Sequence, residues 1–341
     1  MITSIEIQGL RGIREGRIEG LAPLTMIVGP NGCGKSTVLE ACGVACAGAS
    51  ATEAFKALSA REWMGLAGVA YWLSEQGAKI GGAFDAEPQG FTSTIRVAED
   101  DRRLGWDGEV GPFITLAIES RASGNALVNA DGRIAWSQDG PRLLPFALQN
   151  AFVDRPAGAT QRLTGAHFSS AHRDALTTIK LSPWYDELFS FLQVLRPRLT
   201  SIESIAVGDR DEPHIFEREP RAGYPLAYAG DGFRRALLLA GTFARAKGGV
   251  AAIDEPEAFA HPGMFNALTG LIRRAVADGT QVVLATHSLE FVAAALRAFE
   301  DQPDKAVVVG LRMEAGVLDP LVISGPDAHR RVLDFGHDLR L

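Results

Sequence analysis

The sequence predicts an α/β fold: a parallel sheet with helical crossovers, carrying an antiparallel β lobe and a helical segment. Three observations predict it. An apolar run, a glycine-rich turn and a helix-spaced run follow one another near the start. Strand and helix patterns alternate through the last third, and turn-separated strand patterns fill much of the stretch between. The 341 residues, 46% hydrophobic, suffice for a large core. A formal net charge of −7 excludes a surface coated in basic charge for non-specific nucleic-acid binding, though not a local basic groove.

Residues 2–7 alternate apolar and polar like a strand with one exposed face, and Leu24 to Val28 is a buried-strand run. Beyond Gly29, the side chains Val38, Leu39, Cys42, Ala45 and Cys46 recur at helical spacing. Residues 52–65 read as a further helix. Thr92–Val97, Phe113–Ser120 and Ala126–Trp136 read as strands of a mostly antiparallel lobe. Asp107-Gly108 and Asp131-Gly132 mark hairpins in it, because glycine accepts the positive φ of a type I′ turn. Trp63, Trp72, Trp106 and Trp136 are scattered, as packing anchors are. Ser182 to about Ile205 reads as helical, with Ser182 as cap and Pro183 in the first turn. Asp209 to Pro213 reads as a solvated turn rather than a metal-binding cluster. Val250–Ile253, a helix over 262–277, Gln281–Ala285, a helix over 288–298 and Ala306–Arg312 complete the alternation.

These elements predict a discontinuous core of residues 1–50 and 206–341. It is interrupted by an insert, 51–205, with its β lobe at about 66–137 and its helical segment at about 138–205. The opening residues lack a basic segment leading into a long apolar one, and no apolar run approaches the roughly 18 residues that span a bilayer. A cytoplasmic chain without membrane association is expected. The cysteines are odd in number; Cys42 and Cys46 are expected to be reduced core thiols rather than a metal pair.

The chemistry starts at Gly29-Pro30-Asn31-Gly32-Cys33-Gly34-Lys35-Ser36-Thr37, which satisfies G-x-x-x-x-G-K-[ST]. Average composition would produce that string by chance in about one chain in a hundred of this length, and here it lies between a strand and a helix. Glycines let backbone N–H groups converge on phosphate oxygens, and the helix adds its positive end. Lys35 supplies charge to the β- and γ-phosphates, and the Ser36 hydroxyl is a ligand for Mg²⁺. Val250 to Ile253 is an apolar strand ending in Asp254 and Glu255. Asp254 is read as holding the Mg²⁺ shell and Glu255 as orienting and deprotonating the attacking water. Val282 to Ala285 leads to Thr286-His287-Ser288, where a strand tip beside the acidic pair lets the His287 imidazole reach the γ-phosphate and the lytic water.

Four features together resemble the ABC-type ATPases, in the branch of the SMC, RecF and overcoming-lysogenization-defect proteins. They are the loop Gly29 to Thr37, Asp254-Glu255-Pro256-Glu257 with His261-Pro262 downstream, Thr286-His287-Ser288, and Tyr228-Ala229-Gly230-Asp231-Gly232-Phe233-Arg234. The likeness covers roughly residues 1–50 and 224–312. It implies a P-loop NTPase fold with an ABC-type head, ATP and Mg²⁺ as cofactors, and ATP hydrolysis. It also implies an ATP-dependent homodimer in which Gly230, Asp231 and Gly232 of one copy close over the nucleotide of the other. Gly230 stands where the family usually has Ser, a departure that bears on hydrolysis more than on pairing. No aromatic residue precedes Gly29 to stack on adenine, so base contacts are expected from Arg11 and neighbouring backbone, and the preference for ATP over GTP comes from the resemblance alone. For the glutamine that in the family links the γ-phosphate to the remote lobe, the resemblance offers Gln149, with Gln161 as a rival, and the residues themselves favour an ordinary surface glutamine at either position.

The long interval between Lys35 and Asp254 has no coiled-coil pattern, and little chain follows Arg312, so a nuclease is expected on a partner rather than on this chain. Arg196, Arg198, Arg234, Arg235, Arg273 and Arg274 are scattered and read mostly as solvated helix faces, so DNA contact rests on the resemblance. Three functions compete. One is an ATPase gating a DNA-associated or anti-phage activity; another is a low-turnover nucleotide switch restraining an effector protein; the third is a transporter ATPase subunit.

Overall fold

Period-two burial along the strands decides the layers. The computed structural model describes residues 1–48, 50, 53–54, 57–58, 77–85, 87–100, 113–119, 123–129, 134–138, 146–149, 170–207, 210–218, 223–258 and 262–339. In chain order the strands and helices begin with β1 (Ile2–Leu10), β2 (Ile13–Glu19), β3 (Leu24–Val28), α1 (Lys35–Ala47), β4 (Ala78–Phe84) and β5 (Glu87–Asp100). Next come β6 (Phe113–Glu119), β7 (Ser123–Asn129), β8 (Ile134–Gln138), β9 (Phe146–Gln149), α2 (Ser170–Lys180) and α3 (Tyr185–Leu195). They continue with β10 (Leu199–Val207), β11 (Arg210–Glu217), β12 (Tyr224–Pro225), α4 (Asp231–Arg245), β13 (Val250–Asp254) and α5 (Phe265–Ala277). The last are β14 (Gln281–Thr286), α6 (Leu289–Ala298), β15 (Ala306–Glu314), β16 (Val317–Ser324) and α7 (Gly325–His329).

A 13-stranded sheet runs β8-β7-β6-β5-β4-β1-β2-β16-β15-β3-β14-β13-β9. Its core is parallel: β15, β3, β14, β13 and β9 pair in that order, all in the same direction. From β2 through β1 and β4 to β8 the pairing is antiparallel. Along β3, Leu24, Met26 and Val28 pack on one face with α3, α4, α5 and α6, while Ile27 joins α1, β1 and β4 on the other. The helix α1 lies against β13 and β14 on one side and β1 and β4 on the other. Being covered from both sides explains why it is buried almost all round rather than along one stripe. Gln281, 2% exposed, bonds through its side chain to the backbone of Ile2 and Ala22, and so locks the start of β14 to the sheet's first strand. A second sheet, β10-β11-β12, stands apart.

The structure differs from the sequence reading in four places. The expected β lobe is a continuation of the main sheet through β1, and Ala126–Trp136 divides into β7 and β8. The stretch read as helical from Ser182 to Ile205 contains α3 only as far as Leu195. Pro197 cannot continue a helix, and the β-branched Ile202, Ile205 and Val207 then pair with β11. The segment taken as helical about 138–205 also contributes β9, because its short run Phe146–Gln149 completes the parallel core beside β13. The acidic run is not all turn: Asp211, Glu212 and Pro213 belong to β11, and Asp209 lies outside the described residues. Also outside them are Trp63, Trp72, Trp106, Gln161, His261 and both hairpin dipeptides; of residues 52–65, only 53–54 and 57–58 are described, and they are helical.

Candidate functional site

The three central strands β3, β14 and β13 run parallel and end level: Val28 pairs with Thr286, and Asp254 with Ala285. Everything appended to their carboxyl ends therefore meets along one edge, where ligands of open α/β sheets bind. That edge receives the loop Gly29–Gly34 from β3, Asp254 and Glu255 from β13, and His287 from β14.

The loop is shaped by what surrounds its glycines. Gly29 has a φ of 153°, and a Cβ there would stand 2.3 Å from the Leu311 carbonyl oxygen, so the neighbouring strand excludes any side chain. Gly34 caps α1 in the left-handed conformation, φ 94°, and turns the chain into the helix. Pro30, Asn31 and Gly32 are exposed, Cys33 is buried and Ser36 is half-buried in the first helical turn. The Lys35 ammonium, 6% exposed, donates to the carbonyls of Gly29 at 3.0 Å and Pro30 at 2.9 Å. Desolvation pulls its pKa below the ordinary value, opposed by the fields of Cys33, Asp254, Glu255 and Glu257. Those fields bring the lysine and the acidic strand tip into one electrostatic site. Thr37 is buried behind the loop.

Asp254 is buried at the end of β13 and Glu255 follows it half-buried. The Glu255 backbone has a φ of 49°, a left-handed conformation costing a non-glycine residue about 1–2 kcal/mol. Its N–H donates to Ala285 at 2.8 Å. Arg235, buried in α4, donates to the carbonyls of Asp254 at 3.1 Å and Glu255 at 3.0 Å. Arg235 thus braces the acidic tip and is no solvated helix face. Sequence spacing had no signal for this, since the two segments meet only through packing. Ser36 and Asp254 supply the oxygen donors that suit Mg²⁺, which takes one or two protein groups and completes its shell with water and phosphate. No group of three or more His, Cys, Asp or Glu placed to hold a metal occurs among the described residues.

His287 lies at the β14 tip, its pKa held below the ordinary 6.5 by burial and then by Lys35, against Glu255, Glu257 and Asp254. The next residue, Ser288, caps α6 by accepting from the Phe291 N–H at 3.0 Å. Glu257, which the motif contains but to which the sequence reading attached no role, accepts hydrogen bonds from the Thr286 hydroxyl at 2.7 Å and the His287 N–H at 3.1 Å. The structure sets the backbone of Gln149, last residue of β9, beside Ile253 and one step from Asp254. Arg11 turns to α1, where its guanidinium pairs with the buried Glu40 and donates to the Leu58 carbonyl. Cys42 and Cys46 are fully buried in the core, and desolvation pushes the Cys42 thiol up to about 12.

Gly230, Asp231 and Gly232 form the start of α4, with Gly230 as N-cap at φ −60° and ψ 155°. No hydrogen bond joins them to the phosphate loop of the same chain among the described residues. A Cβ on Gly230 would meet nothing within 4 Å, and its φ does not require glycine. Tyr228 is 80% exposed beside it. Behind the turn, Arg196 pairs with Glu217 and Tyr224 and lies over the Phe233 ring, so the β10–β12 sheet holds the helix start in place. Three more arginines of the scattered set have partners: Arg234 pairs with Asp231, Arg273 with Asp301, and Arg274 with Glu187 and Asp278.

A family model described as "AAA domain, putative AbiEii toxin, Type IV TA system" matches residues 166–293, and a second, "AAA domain", matches residues 4–121. Among solved structures, the Smc head domain with an extended coiled coil bound to the C-terminal domain of ScpA, derived from Pyrococcus furiosus, is 15% identical. It covers 98% of this chain and 99% of its own, with a TM-score of 0.51. An SmcHead bound to the C-winged helix domain of ScpA is 17% identical over 95% of this chain and 97% of its own, with a TM-score of 0.49. The SMC head domain from Thermotoga maritima is also 17% identical, over 95% of this chain and 99% of its own, with a TM-score of 0.41. No curated protein matches the chain. No helix among the described residues is long and apolar enough to cross a membrane.

Proposed function

We propose that the chain is an SMC/RecF-like ABC-type ATPase that binds and hydrolyses Mg-ATP at the β3–β14–β13 edge, a reading supported by the two AAA-domain matches and by the likeness of its fold to an Smc head domain. One observation carries this reading: the in-register ends of three parallel strands bring a complete phosphate loop, a buried Asp254, Glu255 and His287 to the same place. Lys35 and the loop N–H groups hold the phosphates, and Ser36 and Asp254 hold Mg²⁺. Glu255 takes the proton of the attacking water, and a neutral His287 faces the γ-phosphate. Two copies pair around two nucleotides, each closing its own Gly230–Gly232 turn over the other's site. The exposed turn beside Tyr228, with no hydrogen bond to its own loop among the described residues, supports that arrangement.

The pair gates a separate effector in a DNA-associated or anti-phage defence activity, a reading supported by the toxin–antitoxin system in the description of the first family model. A second reading, a slow switch that restrains its effector, is favoured by Gly230, since a missing donor in such a turn costs roughly 3–4 kcal/mol in the barrier. Turnover measured with and without DNA separates the two. The dimer is tested by Glu255→Gln, which removes the base and leaves the phosphate contacts. With ATP the variant is expected to elute at twice the monomer mass and to hydrolyse at least a hundredfold more slowly, by rough estimate; a variant that stays monomeric at all ATP concentrations overturns the paired-site model.

A further inference from the structure

We propose that Glu257 is a positioning residue that aims His287, by holding the tip of β14 on the side where its ladder with β13 has ended. This rests on the reading of His287 as the group that faces the γ-phosphate. The β13–β14 ladder ends at Asp254 and Ala285, and a single further bond from the Glu255 N–H to Ala285 closes it. Past that point the β14 tip has lost its partner strand on the β13 side, and the β3 ladder on its other side ends one residue later, at Val28 and Thr286. Side chains satisfy the donors of the tip instead. Pro256 is buried, and the Ala258 N–H bonds to the Glu255 carbonyl at 3.0 Å, closing a turn that carries Glu257 across to the neighbouring tip.

One carboxylate oxygen of Glu257 then accepts from both the Thr286 hydroxyl, 2.7 Å, and the His287 N–H, 3.1 Å. The Thr286 oxygen in turn accepts from the Ser288 N–H at 3.0 Å, and Ser288 caps α6. A continuous chain of hydrogen bonds therefore runs from the turn after the acidic pair, through the residue before His287, to the helix after it. Thr286 is fully buried, and bonds to a carboxylate in such surroundings are the strong kind. The second Glu257 oxygen is buried with no hydrogen-bond partner among the described residues, so the carboxylate's polar contacts are concentrated on the His287 tip. His287 consequently moves only if Glu257, and with it the acidic turn, moves too. The requirement is an acceptor at this point rather than a negative charge.

The test compares Glu257→Ala, Glu257→Gln and Thr286→Val with His287→Ala in the whole chain. Amide exchange at His287, measured without nucleotide, is expected to speed up about tenfold or more in Glu257→Ala and to stay near wild type in Glu257→Gln, whose amide oxygen still accepts. In ATP turnover, Glu257→Ala is expected to lose about 10- to 100-fold in kcat with ATP affinity within about threefold. Glu257→Gln should recover most of the rate, and Glu257→Ala/His287→Ala should be no slower than His287→Ala. Unchanged exchange in Glu257→Ala, multiplicative losses in the double variant, or a Gln variant as slow as Ala each overturn the proposal. A wild-type chain that hydrolyses no ATP overturns the ATPase reading instead, and exchange alone then decides the clamp. Should Glu257→Ala not fold, Thr286→Val removes one of the two bonds at nearly constant shape, and unchanged exchange at His287 and Ser288 in it overturns the proposal.

Discussion

The two ends of the candidate site are built in opposite ways. At the strand edge, Lys35, Asp254 and Thr286 are buried, and Lys35, Glu255 and Glu257 are fastened to groups of the same chain. At the start of α4, Gly230 and Asp231 are exposed, Tyr228 is 80% exposed, and a side chain on Gly230 would touch nothing. Yet that turn is not loosely held, because Arg196 and the β10–β12 sheet fix Phe233 immediately behind it. A firmly held, exposed turn with no hydrogen bond to the phosphate loop of its own chain among the described residues suits the proposed closure over a second copy, whereas the groups of the strand edge are gathered within one chain.

The sharpest way to break this contrast is at Lys35. Lys35→Ala is expected to abolish ATP binding at ordinary concentrations, because charged hydrogen bonds contribute about 1.5–3 kcal/mol each and several are lost; calorimetry that finds micromolar affinity in the variant would remove the phosphate role of the loop. Arg235 is the link between the two ends, since it lies in α4 and braces Asp254 and Glu255. Arg235→Leu is expected to cost about 3 kcal/mol in urea unfolding and to lower kcat more than ATP affinity. If affinity and kcat fall together, the brace serves the fold rather than the acidic tip.

Glu255→Gly separates strain from chemistry. Glycine accepts the φ of 49°, so the variant is expected to be as stable as wild type or more stable by up to about 1 kcal/mol, while losing turnover; a drop in Tm would show that the conformation is not strained. Gly230→Ser probes the exposed end. Serine is the better N-cap by only a few tenths of a kcal/mol and fits without contact, so stability should barely change while turnover rises; no rise would mean that the hydroxyl is not what limits the rate. The smallest effect concerns pH. Burial and Lys35 favour neutral His287, so its share of stability is present above pH 6.5 and is lost as pH falls through its lowered pKa; His287→Gln should flatten that acid limb.

Legibility in the sequence followed locality. Gly29–Thr37 could be read because every residue of the loop is contiguous, and its flanking strand and helix are each a single uninterrupted pattern. The stretch after Pro197 was misread because Leu199–Val207 is strand only through β11. Phe146–Gln149 was missed for a similar reason, since four residues carry no periodicity and become a strand by completing the edge beside β13. Arg235 looked like one of several scattered arginines until α4 packed behind the acidic tip.

By itself the sequence determined the phosphate loop, the strand tips that carry Asp254, Glu255 and His287, and the α/β character of the core, because these depend on glycine geometry, charge and short-range periodicity. Only the tertiary structure decided that the antiparallel strands extend the same sheet, that Glu257 holds the β14 tip, and that Arg235 joins α4 to the acidic pair. Those contacts join segments far apart in the chain, and hydrogen bonds between side chains and distant backbone leave no periodic trace in either segment.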